Sequence, residues 1–123
     1  MAPSERLIAA SDQIVERGKG YRFTVDTDDG DWLPAFAIRY GGAVFAYLNR
    51  CAHISVELDW AEGDFFDASG LYLICATHGA TYSPESGKCV AGPCKGGRLI
   101  PLRTTEHDGN VYLIGREDDA DGP

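Results

Sequence analysis

The sequence predicts an all-β fold: an antiparallel β-sandwich or small barrel with a loop-rich subdomain inserted into it. Three observations predict this. Short apolar runs of strand-like composition recur along the 123 residues. Turn dipeptides such as Gly41-Gly42 and Asp108-Gly109 separate them. Glycine is abundant, 15 residues beside 6 prolines, which favours many short elements over a few long helices.

Residues 4–17 contain Leu7, Ile8, Ile14 and Val15, a pattern compatible with a strand, a turn and a short helix. Residues 21–25 alternate with period two. Residues 35–40 and 43–48 flank Gly41-Gly42 and read as a hairpin. Residues 71–74 form a short apolar strand that runs into Cys75. Residues 98–103 and 111–114 flank a second hairpin turn at residues 107–110. One domain over residues 1–123 is expected, with its core at about residues 20–116. The acidic tail at residues 117–123 lacks apolar anchors and should fray.

The charge balance is 11 Lys+Arg against 19 Asp+Glu, a net of −8. That argues against nucleic acid, which needs clustered positive charge, and against anionic lipid. A basic protein surface is the natural complement. No apolar run approaches a membrane span, and the first residues carry no apolar leader, so a soluble, cytoplasmic protein is expected.

Five acids, Glu57, Asp59, Glu62, Asp64 and Asp67, fall within residues 54–70, which hold no Lys or Arg. With Trp60, Phe65 and Phe66 the segment reads as a subdomain with its own packing. Its acids form either a docking face for a basic partner or an ordinary solvated loop.

The chemistry-bearing residues are four cysteines and three histidines. Two of the histidines stand beside cysteines, in Cys51-Ala-His53 and Cys75-Ala-Thr-His78, each pair following an apolar strand. Loops leaving neighbouring strands could bring the four side chains together. The pattern is C-x-H, 21 residues, then C-x2-H.

This pattern resembles the Rieske [2Fe-2S] proteins, whose two motifs are separated by about 15–17 residues. The likeness extends to Gly79 after the second histidine, Tyr82 four residues beyond it, Ser86-Gly87 closing a turn, and Gly92-Pro93, which resembles the proline loop that shields the cluster. The resemblance implies the Rieske fold, with a cluster-binding part at about residues 49–95. It implies one Rieske-type 2Fe-2S cluster, with Cys51 and Cys75 as thiolates on one iron and His53 and His78 as imidazole ligands on the other. It also implies second-shell positions at Gly79, Ala80, Tyr82, Gly92 and Pro93. Neutral imidazoles in place of two thiolates leave the centre less negative, so its potential lies above that of a four-cysteine ferredoxin.

In high-potential members a serine two residues after the second histidine donates to a bridging sulfide, and a tyrosine four residues after it donates to a ligand sulfur. Here Ala80 removes the first donor and Tyr82 keeps the second. The expected potential is therefore low to intermediate, roughly −150 to +100 mV. Structural zinc is the main alternative, but zinc fingers pair like ligands within each knuckle, whereas each motif here mixes cysteine with histidine. Reading Cys51 and His78 as nucleophile and base leaves the paired motifs unexplained.

Cys89 and Cys94 stand apart from the ligand motifs. They either bridge each other across the proline loop, stiffening it, or remain buried thiols. The disulfide that joins the ligand loops in respiratory members has no counterpart, because Ser55 and Ala76-Thr77 occupy its positions. His107 is expected as an exposed turn residue, and Trp32 and Trp60 as packing residues.

The resemblance implies a one-electron carrier, the ferredoxin component between a flavin reductase and a ring-hydroxylating oxygenase of the dioxygenase type. No catalytic residues are expected, and no activity alone. The alternatives are a permanent small subunit of a larger reductase, nitrite-reductase-like, and a redox-sensing binding module. Purified protein should contain iron and acid-labile sulfide in equal amounts. Reduction raises the pKa of a ligand imidazole, so the midpoint potential should fall as pH rises into the alkaline range. A potential flat from about pH 6 to about pH 11 counts against histidine ligation.

Overall fold

A computed structural model describes residues 6–26, 32–50, 58–59, 63–75, 79–94 and 96–116. Among these the chain forms strands β1 (Arg6–Ala10), β2 (Tyr21–Asp26), β3 (Trp32–Tyr40), β4 (Ala43–Leu48), β5 (Leu73–Ile74), β6 (Thr81–Tyr82), β7 (Cys89–Ala91), β8 (Pro101–His107) and β9 (Asn110–Arg116). A single 3-10 turn at Ser11–Gln13 follows β1, and no α-helix occurs among the described residues. Six strands make one antiparallel sheet in the order β1-β9-β8-β4-β3-β2, and β5-β6-β7 make a small second sheet. The large sheet curls toward closure: the Arg6 side chain on β1 donates from Nη1 to Thr24 O on β2 at 2.6 Å, joining the two outermost strands. The all-β barrel-like architecture is the one expected.

Side-chain size explains how the two sheets fit together. Ala35 and Ala37 on β3 and Ala46 and Leu48 on β4 point into the barrel, beside Ile8, Ile14, Val25, Leu102, Val111 and Leu113. The alternate residues Phe36, Ile38 and Tyr47 point the other way, onto Leu58, Phe65, Leu73, Cys75, Tyr82 and Leu99 of the inserted part. Successive side chains on a strand face opposite sides, so β3 and β4 each serve two cores. Small residues suit the narrow barrel interior, and large ones fill the space between layers.

Several boundaries differ from the sequence reading. The sheet begins at Arg6, not near residue 20, because Ile8 and Ile14 are buried in the barrel and β1 pairs with β9. Strand β5 is shorter than residues 71–74 because Leu71 and Tyr72 are exposed. Strand β8 begins at Pro101. Arg98 instead bridges to Lys88, and Leu99 drops into the second core. The described residues of the 54–70 segment do not pack independently: Phe65 stacks on Phe36 of β3, with ring centroids 3.9 Å apart. Trp32 is not a packing residue, being 58% exposed near the start of β3. His107 is the exposed residue expected, with its ring stacked on Tyr112. Trp60 and residues 117–123 lie outside the described residues.

Arg39 on β3 ties the N-terminal segment to the sheet. It donates to Ile14 O (2.8 Å), Ser11 O (3.1 Å) and Gly42 O (3.0 Å). It also grips Glu106 of β8 with two bonds, 3.1 and 2.6 Å. Glu16 caps the β3–β4 turn by accepting from Gly41 N (2.7 Å) and Gly42 N (2.8 Å). At this turn both glycines have positive φ, +63° and +86°, which side chains disfavour.

The Arg39 side chain holds the Glu106 carboxyl below its ordinary pKa, and the Gly42 N–H does so for Glu16. A depressed carboxyl pKa stabilises the fold above the unfolded-state value and loses that stabilisation as pH falls through the folded-state value. The wild type should therefore lose thermal stability as pH drops below the ordinary value of 4.5. Glu106→Gln should cost about 1 kcal/mol at neutral pH and show a shallower acid decline in its unfolding temperature.

Candidate metal centre

The candidate ligands fall in two segments of the sequence, and the structure shows how the described residues flanking each are held together. The first loop leaves β4 at Asn49. The Asn49 side chain is buried, 1% exposed, and both its oxygen and its nitrogen are hydrogen-bonded. Its Oδ1 accepts from Leu58 N at 2.8 Å, and its Nδ2 donates to Asp59 Oδ1 at 3.0 Å. Asp59 Oδ2 in turn accepts from Gly63 N at 3.0 Å and lies 3.4 Å from Arg22 Nε. The departing and returning ends of residues 50–57 are thus clasped by one buried amide. Cys51 and His53 fall between these ends in the sequence and lie outside the described residues.

The second loop follows β5. Cys75 is fully buried in the core between the sheets. Its N–H donates to Ala80 O at 2.7 Å, and its carbonyl accepts from Gly79 N at 2.8 Å. The two bonds close a compact turn from Cys75 to Ala80. His78 lies within that turn, outside the described residues. Of the four candidate ligands, the structure therefore positions Cys75. Among the described residues no group of three or more Cys, His, Asp or Glu gathers at one point.

A third segment covers the second loop. Gly92, with φ +88°, presses on Gly79: a Cβ at this position would lie 2.8 Å from Gly79 O and 3.0 Å from Ala80 Cα. Only a hydrogen fits there. Cys89 and Cys94 form a disulfide, Cα to Cα 5.7 Å, across the base of the loop. Of the two alternatives for this pair, the bridge is the one found. Gly97 N donates to Cys94 O at 2.7 Å and Cys89 N to Gly97 O at 3.0 Å, closing the segment further. Ala80 and Tyr82 are buried in the core with Cys75, whereas Gly79, Gly92 and Pro93 are exposed around the tip.

The acidic segment is less of a surface than its composition suggests. The Asp59 side chain is only 1% exposed and serves the clasp. Asp67 accepts from Ser69 Oγ at 2.6 Å, which holds its carboxyl below the ordinary range. Glu57 and Glu62 lie outside the described residues, and Asp64 is exposed. Two of the five acids are thus committed within the fold. Asn49 and Asp59 are site-building residues that the sequence reading missed. The one available signal was a polar residue directly after an apolar strand and two positions before a candidate ligand.

A family model described as the Rieske [2Fe-2S] domain matches residues 5–106. The chain belongs to the Rieske [2Fe-2S] domain family. No curated protein matches it. Among solved structures it is similar to the ferredoxin of carbazole 1,9a-dioxygenase from Nocardioides aromaticivorans IC177, with TM-score 0.67 and 21% identity, over 94% of this chain and 99% of that one. It is also similar to a chain of the complex of reduced oxygenase and oxidized ferredoxin in carbazole 1,9a-dioxygenase, with TM-score 0.68 and 20% identity, over 90% and 93%. Apo dicamba monooxygenase matches at TM-score 0.68 and 22% identity, over 91% of this chain and 33% of that one. At these identities the likeness is one of fold.

The cofactor of a Rieske domain is a [2Fe-2S] cluster, and it is this chain's cofactor. The described part of the site fits such a group. A thiolate ligand needs a soft donor shielded from water, and Cys75 is fully buried at the end of a strand, on a turn locked by two backbone bonds. Among the described residues no helix is long and apolar enough to cross a membrane.

The cover contact gives a controlled prediction. Gly92 and Gly96 both have positive φ, but a Cβ at Gly96 meets nothing within 4 Å. Both alanine variants bear the backbone strain, roughly 1 kcal/mol. Only Gly92→Ala should also lift the cover, seen as faster bleaching of the visible spectrum by an iron chelator than in Gly96→Ala.

Proposed function

We propose that this Rieske protein is a one-electron carrier, a single domain over residues 1–123, that passes electrons from a flavin reductase to a terminal ring-hydroxylating oxygenase. In this reading Cys51 and Cys75 bind one iron and His53 and His78 the other. When bound, the cluster supplies reversible one-electron chemistry at a potential raised by its imidazole ligands.

The observation that carries the reading is the exposure of the site's rim. The turn from Cys75 to Ala80 carries exposed Gly79, and Ala91, Gly92 and Pro93 are exposed as well, with Gly92 against Gly79. Val90, 52% exposed, extends the apolar border. A buried donor beneath a thin, apolar, glycine-rich rim lets a protein partner come close while water is kept from the sulfur. The coextensive match with the carbazole dioxygenase ferredoxin agrees with a carrier, since this chain spans 99% of that ferredoxin but only 33% of dicamba monooxygenase.

The residues divide the work. The Asn49 clasp and the Cys75–Ala80 turn hold the two ligand loops in register. Gly92 and Pro93 exclude water from one side. Tyr82, buried beside Cys75 in the same core, is the group suited to tune ligand sulfur.

The test is reconstitution. With a reduced nicotinamide, a ferredoxin reductase and a carbazole-type oxygenase, product should form only when this protein is added. Failure to accept an electron from any flavin reductase, or to pass it on, overturns the carrier role. Tyr82→Phe should lower the midpoint potential and Ala80→Ser raise it, each by roughly tens of millivolts within the Rieske range of about −150 to +300 mV. Voltammetry of the two variants reads both directions.

A further inference from the structure

We propose that the Cys89–Cys94 disulfide is a thiol-exchange site for a dithiol reductant, and that its state sets how tightly the cover segment holds the turn from Cys75 to Ala80. Access, chemistry and mechanical coupling each support this. Cys89, Val90, Ala91, Gly92 and Gly96 line a surface depression of about 300 Å³, whereas Cys94 is only 3% exposed. Cys89 is half-buried, with one side against the core and one on the depression, so it is the sulfur of the pair that an attacking thiolate can approach. The Cys89–Cys94 bond breaks, a mixed disulfide forms at Cys89, and Cys94 leaves as a thiolate that takes a proton. The second thiol of the reductant then attacks its own half of the mixed disulfide and releases Cys89 as a thiol. The net transfer is two electrons and two protons to the bridge, with the dithiol oxidised to a disulfide.

The reduced state is already provided for. Ala91 O lies 3.3 Å from Cys94 Sγ and 3.6 Å from Cys89 Sγ, and Thr81 O lies 3.7 Å from Cys94 Sγ. Bridged sulfurs carry no hydrogen and cannot use these oxygens. Each thiol formed on reduction gains an S–H group with a carbonyl in reach. Both states are thus accommodated by nearly the same backbone.

The coupling runs through Gly92. It lies inside the short loop that the disulfide closes, so close to Gly79 and Ala80 that a Cβ on it would lie 2.8 Å from Gly79 O and 3.0 Å from Ala80 Cα. Opening the bridge restores loop entropy to residues 89–94 and loosens that contact. Any effect on the iron–sulfur centre rests on the proposed function, but the exchange itself does not.

The experiment treats the folded holoprotein with dithiothreitol, alkylates it with iodoacetamide, and reads mass and amide hydrogen exchange. Alkylation at both Cys89 and Cys94 is expected while the protein stays folded. The amides of Cys75, Gly79 and Gly97 should then exchange at least about tenfold faster, with β2 and β3 unchanged. The double variant Cys89→Ser, Cys94→Ser should show the same local acceleration without any reductant. Resistance of the bridge until global unfolding overturns the proposal. So does unchanged exchange at those three amides in the reduced protein and the variant. A preparation lacking iron overturns the proposed function instead, and leaves these readings intact.

Discussion

Strands β3 and β4 are buried on both faces, and the rest of the molecule follows from that constraint. A strand polar on both faces can drift in register at little cost, but a strand packed on both sides cannot slip by one residue without exchanging its two cores. Here the exchange would drive Phe36 and Ile38 into a barrel interior sized for Ala35 and Ala37. The alternation of small and large side chains therefore fixes β4, and with it Asn49, the residue from which the first ligand loop departs. The same outward face receives Phe65, Leu73, Cys75 and Tyr82, so the barrel also sets the height of the second loop.

Both ligand loops are closed at the base by hydrogen bonds, and only one of them uses backbone alone. The second loop is a tight turn that its own amides can seal. The first is longer, and a side-chain amide bridges it. Burying Asn49 is costly unless its polar atoms are satisfied, and Leu58 N and Asp59 satisfy them. Asp59 would be an expensive residue to bury alone. Gly63 N and Arg22 meet it from the other side. A polar clasp thus brackets the segment that carries the first Cys/His motif.

The sequence made some of this legible and hid the rest for physical reasons. The two hairpin turns, Gly41-Gly42 and Asp108-Gly109, could be read directly because positive φ at consecutive positions demands such residues. The ligand motifs pointed to the family because few chemistries pair cysteine and histidine in that way. The first strand was ambiguous, since its apolar residues are few and its role appears only in the pairing with β9. Trp32 looked like core by residue type alone, yet sits at a strand start in solvent. Asp59 looked like surface because composition records charge and not direction. The disulfide could not be decided from spacing, since two cysteines five positions apart are equally compatible with separate thiols.

The seam between β1 and β2 has a consequence of its own. Among the described residues each of these strands pairs on one side only, and an open strand edge is a template for adding a strand from another molecule. Here the two open edges belong to opposite ends of one curled sheet, and the Arg6 guanidinium reaches from one to the other. A charged side chain at such a border resists intermolecular stacking, as lysines and arginines do on many natural sheet margins. Self-association into fibrils is thereby discouraged at the border where, among the described residues, the large sheet leaves its ladder incomplete.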